Sequence, residues 1–227
     1  MIRADLHIHS CLSPCGDDRM TPEDLVGLSL LNGLDVIALT DHNSCKNCPA
    51  AYAAAQAYGL HFVPGAEVTT AEDIHCVCLF PTLEAAMRFD LVLEKHLPPI
   101  PNRREIFGNQ IILSPDGSTQ EYPKLLISGT DISIIDLPAF AEQFGGICYP
   151  AHVDREANGL FAILGAWPVD LHVQAAEIRF NDPGGLPAGI RLLQGSDAHR
   201  LEDLPEDGFP TDLPTPDFSG ICQYIGK

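Results

Sequence analysis

The sequence has no apolar run near the roughly 20 residues that a membrane-spanning helix requires. Its longest uncharged apolar runs resemble Val36-Ile37-Ala38-Leu39, and Met1-Ile2-Arg3-Ala4-Asp5 leads into no signal-peptide apolar region. The expectation is a soluble, cytoplasmic protein with no membrane partner. Basic residues are scarce, 13 Lys and Arg against 31 Asp and Glu for a net charge of -18. A surface so negative repels a phosphate backbone, which argues against duplex nucleic acid as a partner. Eight cysteines in 227 residues are too dilute for a disulfide framework, so they are expected reduced, as buried apolar side chains or ligands. Internal repeats and low-complexity tracts are also missing.

What is present is a hydrophobic content of 45%, enough for the core of one barrel-sized domain spanning residues 1–227. Short apolar runs bounded by Gly, Pro and Asp alternate with helical patterns, the signature of a parallel α/β fold. Seven strands are expected, near Ile2 to His9, Leu34 to Thr40, His61 to Thr69, Ile74 to Phe80, Ile147 to His152, Val173 to Ile178 and Ile190 to Ser196. Thr21-Pro22-Glu23-Asp24 supplies an N-cap, a proline at the first helical position and acids in the first turn, opening a helix to about Asn32-Gly33. Further helices fit Pro49 to Tyr58, Leu83 to His96, Ser133 to Phe144 and Ala157 to Gly165, with a short loop between the third and fourth strands. Residues Leu97 to Gly129 break the rhythm and read as an inserted hairpin turning at Pro115-Asp116-Gly117-Ser118, expected beside the C-terminal face and limiting access to small substrates. The tail from Pro205 reads as a surface loop.

In Asp5-Leu6-His7-Ile8-His9 the polar residues alternate with apolar ones. On a strand Asp5, His7 and His9 share one face while Leu6 and Ile8 face the helices. Two imidazoles so spaced can converge on one cation, and a carboxylate two residues earlier can orient a ring. The same strand could instead hold ordinary core histidines. Against that, acids and histidines recur near strand ends in Thr40-Asp41-His42, Glu67, His75, His152 and Asp197-Ala198-His199, and six of the nine histidines are sorted there. Barrel enzymes build active sites on that face.

This set resembles the four-motif pattern of the polymerase and histidinol phosphatase (PHP) superfamily over residues 2 to about 200. Gly195-Ser196-Asp197-Ala198-His199 is similar to the last motif of its small phosphoesterases. The resemblance implies a distorted seven-stranded, TIM-like (β/α) barrel holding two or three divalent metals (zinc, iron or manganese), with phosphate-ester hydrolysis as the usual activity. By position it implies one metal on His7, His9, Glu67 and Asp197, a second bridged by Glu67 and held by His75 and His152, and a third on His42 and His199. Cys15 is the candidate third-metal ligand where relatives often have His or Asp, with Asp17 the alternative. Paired metals clamp a phosphoryl group and lower the pKa of a bridging water, giving a hydroxide nucleophile. Their charge also keeps the pocket positive inside an acidic chain.

The expected substrate is therefore a small phosphorylated metabolite or nucleotide. Asp197, His199 and Arg155 are the catalytic candidates, Arg155 as a fork for phosphate oxygens, and Arg179 and Arg200 also lie near strand ends. A metal-dependent hydrolase of a carbon-centred bond and a metal-stabilised, non-catalytic binding module are the alternatives. Cys45-Lys46-Asn47-Cys48 opens a helix and could be redox-active, although a single CxxC is more simply a pair of packed thiols. Cys76 and Cys78 are expected to pack under the helices. His61, His96 and His172 match no motif.

Overall fold

A computed structural model describes residues 1–227. Along the chain lie β1 (Ile2–Ile8), α1 (Pro22–Leu31), β2 (Val36–Leu39), α2 (Cys48–Tyr58), β3 (His61–Thr69), β4 (His75–Leu79), α3 (Leu83–Leu93), α4 (Arg104–Phe107), β5 (Ile111–Leu113) and β6 (Thr119–Glu121). They are followed by α5 (Leu137–Glu142), β7 (Ile147–Pro150), α6 (Leu160–Leu164), β8 (Ala175–Ile178), β9 (Arg191–Gln194), β10 (Phe209–Thr211) and α7 (Phe218–Ile225). The expected helix signals operate. The Thr21 side chain accepts from the Asp24 N–H at 3.2 Å ahead of Pro22, and Gly59 closes α2 in the left-handed conformation at φ 79°. No helix is long and apolar enough to cross a membrane.

All seven expected strands form, but they do not share one ladder. A curled six-stranded sheet runs in the order β10-β1-β2-β3-β4-β7, and β8 and β9 pair in parallel beside it. Backbone bonds link the two at the C-terminal end, one from Val153 N–H to Glu177 O at 2.8 Å and two on the β1 side, from Asp197 N–H to His7 O at 2.9 Å and from His9 N–H to Ala198 O at 3.0 Å. The sheet is also not wholly parallel. The short loop after β3 reverses the chain, so β4 runs antiparallel to both β3 and β7, with Thr69 opposite His75 and Glu67 opposite Val77. His75 therefore begins its strand, and it reaches the same end as the other site residues because that strand is inverted.

Two large apolar clusters flank the sheet. One packs the helices against Ile37, Leu39, Ala66, Val68, Cys76 and Cys78, which puts those two thiols under the helices. The other joins Ala4, Leu6, Val36, Val77, Leu79 and Tyr149 to Leu213, Ile221 and Ile225. The tail is thus more than a loop. β10 pairs antiparallel with β1, and α7, with its N-terminus capped by Asp217, buries Ile221 and Ile225 against the sheet. The simple alternation along β1 fails as well. A register shift between Asp5 and Ile8 sends Leu6 to the tail-side cluster and Ile8 to the helix-side cluster.

The segment expected as an insertion forms the β5–β6 hairpin, paired from Ile111–Glu121 to Leu113–Thr119. It docks on the loops that follow β1 and β2. Ile111 N–H donates to Cys11 O at 2.9 Å, Leu113 N–H to Asn47 Oδ1 at 2.8 Å, and Asn109 Nδ2 to Asp18 Oδ2 at 2.8 Å. The hairpin therefore sits beside the C-terminal end of the sheet.

Candidate metal centre

Glu67 is fully buried at the C-terminal end of the sheet. Five imidazole nitrogens surround its carboxylate: His42 Nδ1 and His75 Nδ1 at 3.0 Å, His152 Nε2 at 3.1 Å, His7 Nε2 at 3.2 Å and His9 Nε2 at 3.4 Å. Asp197 Oδ1 closes the far side, 3.3 Å from His9 Nε2 and 3.6 Å from His7 Nε2. The donor atoms form three overlapping groups, each with all its members within 4.8 Å of one another: His7, His9, Glu67 and Asp197; His42, Glu67 and His75; and His9, His42 and His199. His152 joins through Glu67. The six motif histidines, Glu67 and Asp197 thus lie together, whereas His61 and His172 are exposed and His96 pairs with Asp131 at 2.6 Å.

The surrounding hydrogen bonds fix which nitrogens point inward. His7 Nδ1 faces both Glu177 oxygens, at 2.9 and 3.0 Å. His9 Nδ1 donates to Ser13 Oγ at 2.9 Å, and that hydroxyl donates to Asp41 Oδ1 at 2.7 Å. His199 Nδ1 donates to the Asp197 carbonyl at 2.8 Å. With their Nδ1 protons so used, His7 and His9 turn Nε2 lone pairs toward each other at 3.1 Å and toward the lone pairs of a carboxylate. Such an arrangement repels itself unless protons or cations lie between the groups. Glu67 Oε2 and His42 Nδ1, 3.0 Å apart but not in a hydrogen bond, and His152 Nδ1 are also buried without a hydrogen-bond partner. The donor set and its orphaned atoms fit divalent cations.

The electrostatics follow from that crowding. Burial disfavours charge on His7, but Glu177 and Glu67 outweigh it and raise His7 well above its ordinary value. Burial likewise opposes His9, yet Asp197 and Glu67 push it up to about 9. His42 is disfavoured by burial and by His9, and is raised to about 9 by Cys15 and Glu67. Burial would lift Glu67, but His75, His7 and His42 hold it far below the usual carboxylate range. His199 falls to about 3, through burial and the neighbouring His9. Free of cations, the cluster holds protons on some rings and none on others, the competition a metal resolves by displacing protons.

Glu177 is the site residue that the sequence reading missed. It stands on β8, buried, and also accepts from the His152 N–H at 3.2 Å, so one carboxylate positions residues on two strands. Gly195 makes room for it, since a Cβ there would fall 2.6 Å from both Glu177 Oε2 and His7 Cβ. An acid on a buried strand, aligned with His7 and preceding a strand that ends in Gly195, is the signal that could have found it. Asp5, expected to orient a ring, instead accepts from the His7 and Ser196 backbone N–H groups at 3.2 and 3.1 Å. Its burial lifts its pKa to about 6. The register shift in β1 is the physical reason, because it breaks the alternation that would have aimed Asp5 at the rings.

His152 and Asp197 adopt left-handed backbone, at φ 29° and 51°, and Asn43 beside His42 does so at 48°. Such strain at non-glycine residues costs about 1–3 kcal/mol each and persists where the surroundings enforce it. Cys15 is exposed and lies against His42, outside the three donor groups. Asp17 is engaged elsewhere, its carboxylate gripped by Arg19 at 3.0 and 3.1 Å, which holds it below its usual range. Arg155 pairs with Asp197, Arg179 donates to the Ser196 carbonyl, and Arg200 is exposed. Cys45 and Cys48 are both buried, with Cys48 Sγ toward the Leu39 and Gly65 carbonyls, as packed thiols.

Among known proteins, 66 residues of the chain are 35% identical to a 5'-3' exoribonuclease of Haemophilus influenzae, and 79 residues are 29% identical to an uncharacterized protein of Methanocaldococcus jannaschii. These alignments cover 29% and 31% of this chain, and 23% and 46% of the relatives. Among solved structures, the lesion-specific endonuclease PfuEndoQ of Pyrococcus furiosus superposes with a TM-score of 0.67 at 18% identity, over 99% of this chain and 56% of that one. An amidohydrolase of Chromobacterium violaceum gives a TM-score of 0.59 at 20% identity, over 95% and 93%. These likenesses are of fold, and the chain spans less than half of the curated relatives and about half of the endonuclease.

A further structure of endonuclease Q, with a TM-score of 0.65 at 17% identity over 99% of this chain and 56% of that one, holds a 27-mer duplex with an abasic lesion at its active site. This overturns the expectation of a small substrate with duplex nucleic acid excluded, which rested on net charge. A substrate meets the local field at the mouth of a site and not the sum over the surface, and here Arg155, Arg179 and Arg200 belong to that end of the molecule. The profile of the PHP domain matches residues 5–132, more than half of the sequence and the part that carries His7, His9, His42, Glu67 and His75, and the chain belongs to the PHP domain family.

Proposed function

We propose that residues 1–227 act as one metal-dependent phosphoesterase unit, with the metals held by His7, His9, Glu67, Asp197, His75, His152, His42 and His199, and by Cys15 at the third position. The observation that carries this reading is the ring of five imidazole nitrogens within 3.4 Å of the buried Glu67 carboxylate, with the inward lone pairs of His7 and His9 fixed by outer hydrogen bonds. Residues beyond the matched segment complete it, since His152, Asp197 and His199 come from the loops after β7 and β9. Divalent ions there would supply Lewis acidity and an activated water for attack at phosphorus. Nitrogen and oxygen donors suit zinc, iron or manganese, and a Cys15 thiolate beside His42 and His199 tilts the third position toward zinc or iron.

The chain's own residues set the rest of the reaction. Glu177 and the Asp41–Ser13 pair keep His7 and His9 in the tautomer that turns Nε2 toward Glu67 and Asp197, where a cation would sit. Arg155, paired with Asp197 when no substrate is present, can turn its guanidinium to the oxygens of a phosphate ester. His199, low in pKa and therefore neutral, is partly open to solvent and has its Nε2 lone pair free to hold the third cation at the mouth of the site. The test is phosphate release from p-nitrophenyl phosphate by protein reconstituted with manganese, zinc or iron. Turnover that depends on metal and is lost in Glu67→Gln supports the reading, and no release with any of the three metals at full loading refutes it.

A further inference from the structure

Phe180 is the most exposed aromatic side chain of the protein, at 70%. It follows β8 at the same end of the sheet as the cluster, in a segment that is held and not loose. The Asp154 carboxylate accepts from three successive backbone N–H groups, Arg179 at 2.8 Å, Phe180 at 2.7 Å and Asn181 at 3.0 Å. Asp154 itself lies two residues beyond His152. The Arg179 guanidinium, which bonds the carbonyl next to Asp197, sits 5.8 Å from the centre of the Phe180 ring, and Arg155 pairs with Asp197 on the same rim. An exposed apolar ring thus stands on a held backbone beside one guanidinium group, at the end of the sheet that carries the candidate metal centre.

We propose that Phe180 and Arg179 form a stacking platform for a nucleobase whose phosphate is bound at the metal centre, which makes the substrate a nucleotide unit, free or within a nucleic acid. This rests on the phosphoesterase reading and adds the class of leaving group to it. The physical argument is preorganisation. Three N–H bonds to one carboxylate hold the backbone that carries Phe180 before a ligand arrives, and a flat ring with a cation at its side matches a planar π-face better than an aliphatic or charged group. Stacking of this kind tolerates any base, because every base presents the same face.

The test is calorimetric binding to manganese-loaded protein of adenosine monophosphate, glycerol 3-phosphate and a single-stranded tetranucleotide. Wild type, Phe180→Ala and Phe180→Trp are compared, with metal content and circular dichroism checked for each. The expected result is a preference of wild type for the base-bearing ligands over glycerol phosphate that falls about tenfold in Phe180→Ala and is kept in Phe180→Trp. Tighter binding of the tetranucleotide assigns the base to a nucleic-acid chain and tighter binding of the mononucleotide to a free nucleotide, and either places it on Phe180. Equal binding of all three ligands by wild type, or an unchanged preference in Phe180→Ala, overturns the platform. A Phe180-dependent preference with neither phosphate release from the monoesters nor cleavage of the tetranucleotide leaves the platform standing and removes the phosphoesterase reading.

Discussion

The two ends of the curled sheet are built on opposite principles. At one end the strands bury Ala4, Leu6, Val36, Val77, Leu79 and Tyr149 against α7 and its approach, an apolar plug with ordinary backbone. At the other end the same strands and the loops after them bury His7, His9, His42, Glu67, His152 and Asp197, leave Glu67 Oε2, His42 Nδ1 and His152 Nδ1 without partners, and hold His152 and Asp197 in left-handed conformation. Buried unpaired polar groups and positive φ each oppose folding by an order of a kcal/mol or more. The apolar end therefore carries the stability that the polar end gives up, and the polar end is where cations would recover it. The separation lets the site be changed without unfolding the chain, and the plug be changed without touching the chemistry.

The sharpest way to break that comparison is to strike each end in turn. Glu67→Gln or Asp197→Asn should abolish hydrolysis and lower metal content measured by elemental analysis, with the circular dichroism of the fold retained. Ile221→Ala should do the reverse, lowering stability by about 2–5 kcal/mol in chemical denaturation while the folded fraction keeps its metal. A Glu67→Gln protein with near-wild-type turnover at saturating metal would remove the site assignment, and metal loss in folded Ile221→Ala would remove the separation.

Glu177→Gln is the next largest expected effect. It keeps the shape but takes away the charge facing His7 and, with the amide oxygen left on the His152 N–H, sets an N–H₂ against the His7 Nδ1–H, so metal affinity should fall about 10–100-fold. The check is competition with a chromophoric chelator, and an unchanged affinity would show Glu177 to be packing only.

At the third position, Cys15→Ser should lose one metal equivalent while Asp17→Asn loses none, because Asp17 is already held by Arg19. The opposite pattern would hand the ligand role to Asp17.

The smallest effect is one of pH. In metal-free protein, His9 and His42, raised to about 9, contribute stability that is complete below about 6.5 and is lost as pH climbs through 9. Metal needs those rings neutral, so its competition with protons eases over the same window. The difference in Tm between metal-loaded and chelated protein should widen by several degrees from pH 6 to pH 9, at about 2–4 °C per kcal/mol for a chain of this size. A gap that narrows would contradict the pKa directions.

The histidines and acids of the centre were legible because a metal cluster needs particular residue types, and types are what a sequence displays. His7-x-His9, His42, Glu67, His75, His152 and Asp197-x-His199 name the chemistry wherever the strands run, and Thr21-Pro22 or Gly59 set helix ends through bonds within a few residues. Glu177 was not legible, because its role depends on a Cβ missing at Gly195 and on the facing of His7 across the gap between β8 and β1. Neither the inversion of β4 nor the register shift in β1 could be read from apolar periodicity, which reports a face but not a strand's direction or its neighbour. The tail read as a loop because Pro and Asp dominate it, yet β10 finds the open edge of β1 and α7 an unfilled apolar face, both of which exist only once the sheet has formed. Sequence by itself thus determined the local caps and the inventory of donors. Tertiary structure alone decided strand direction, closure of the apolar end and the outer carboxylates that aim the rings, because each depends on contacts between residues far apart in the chain.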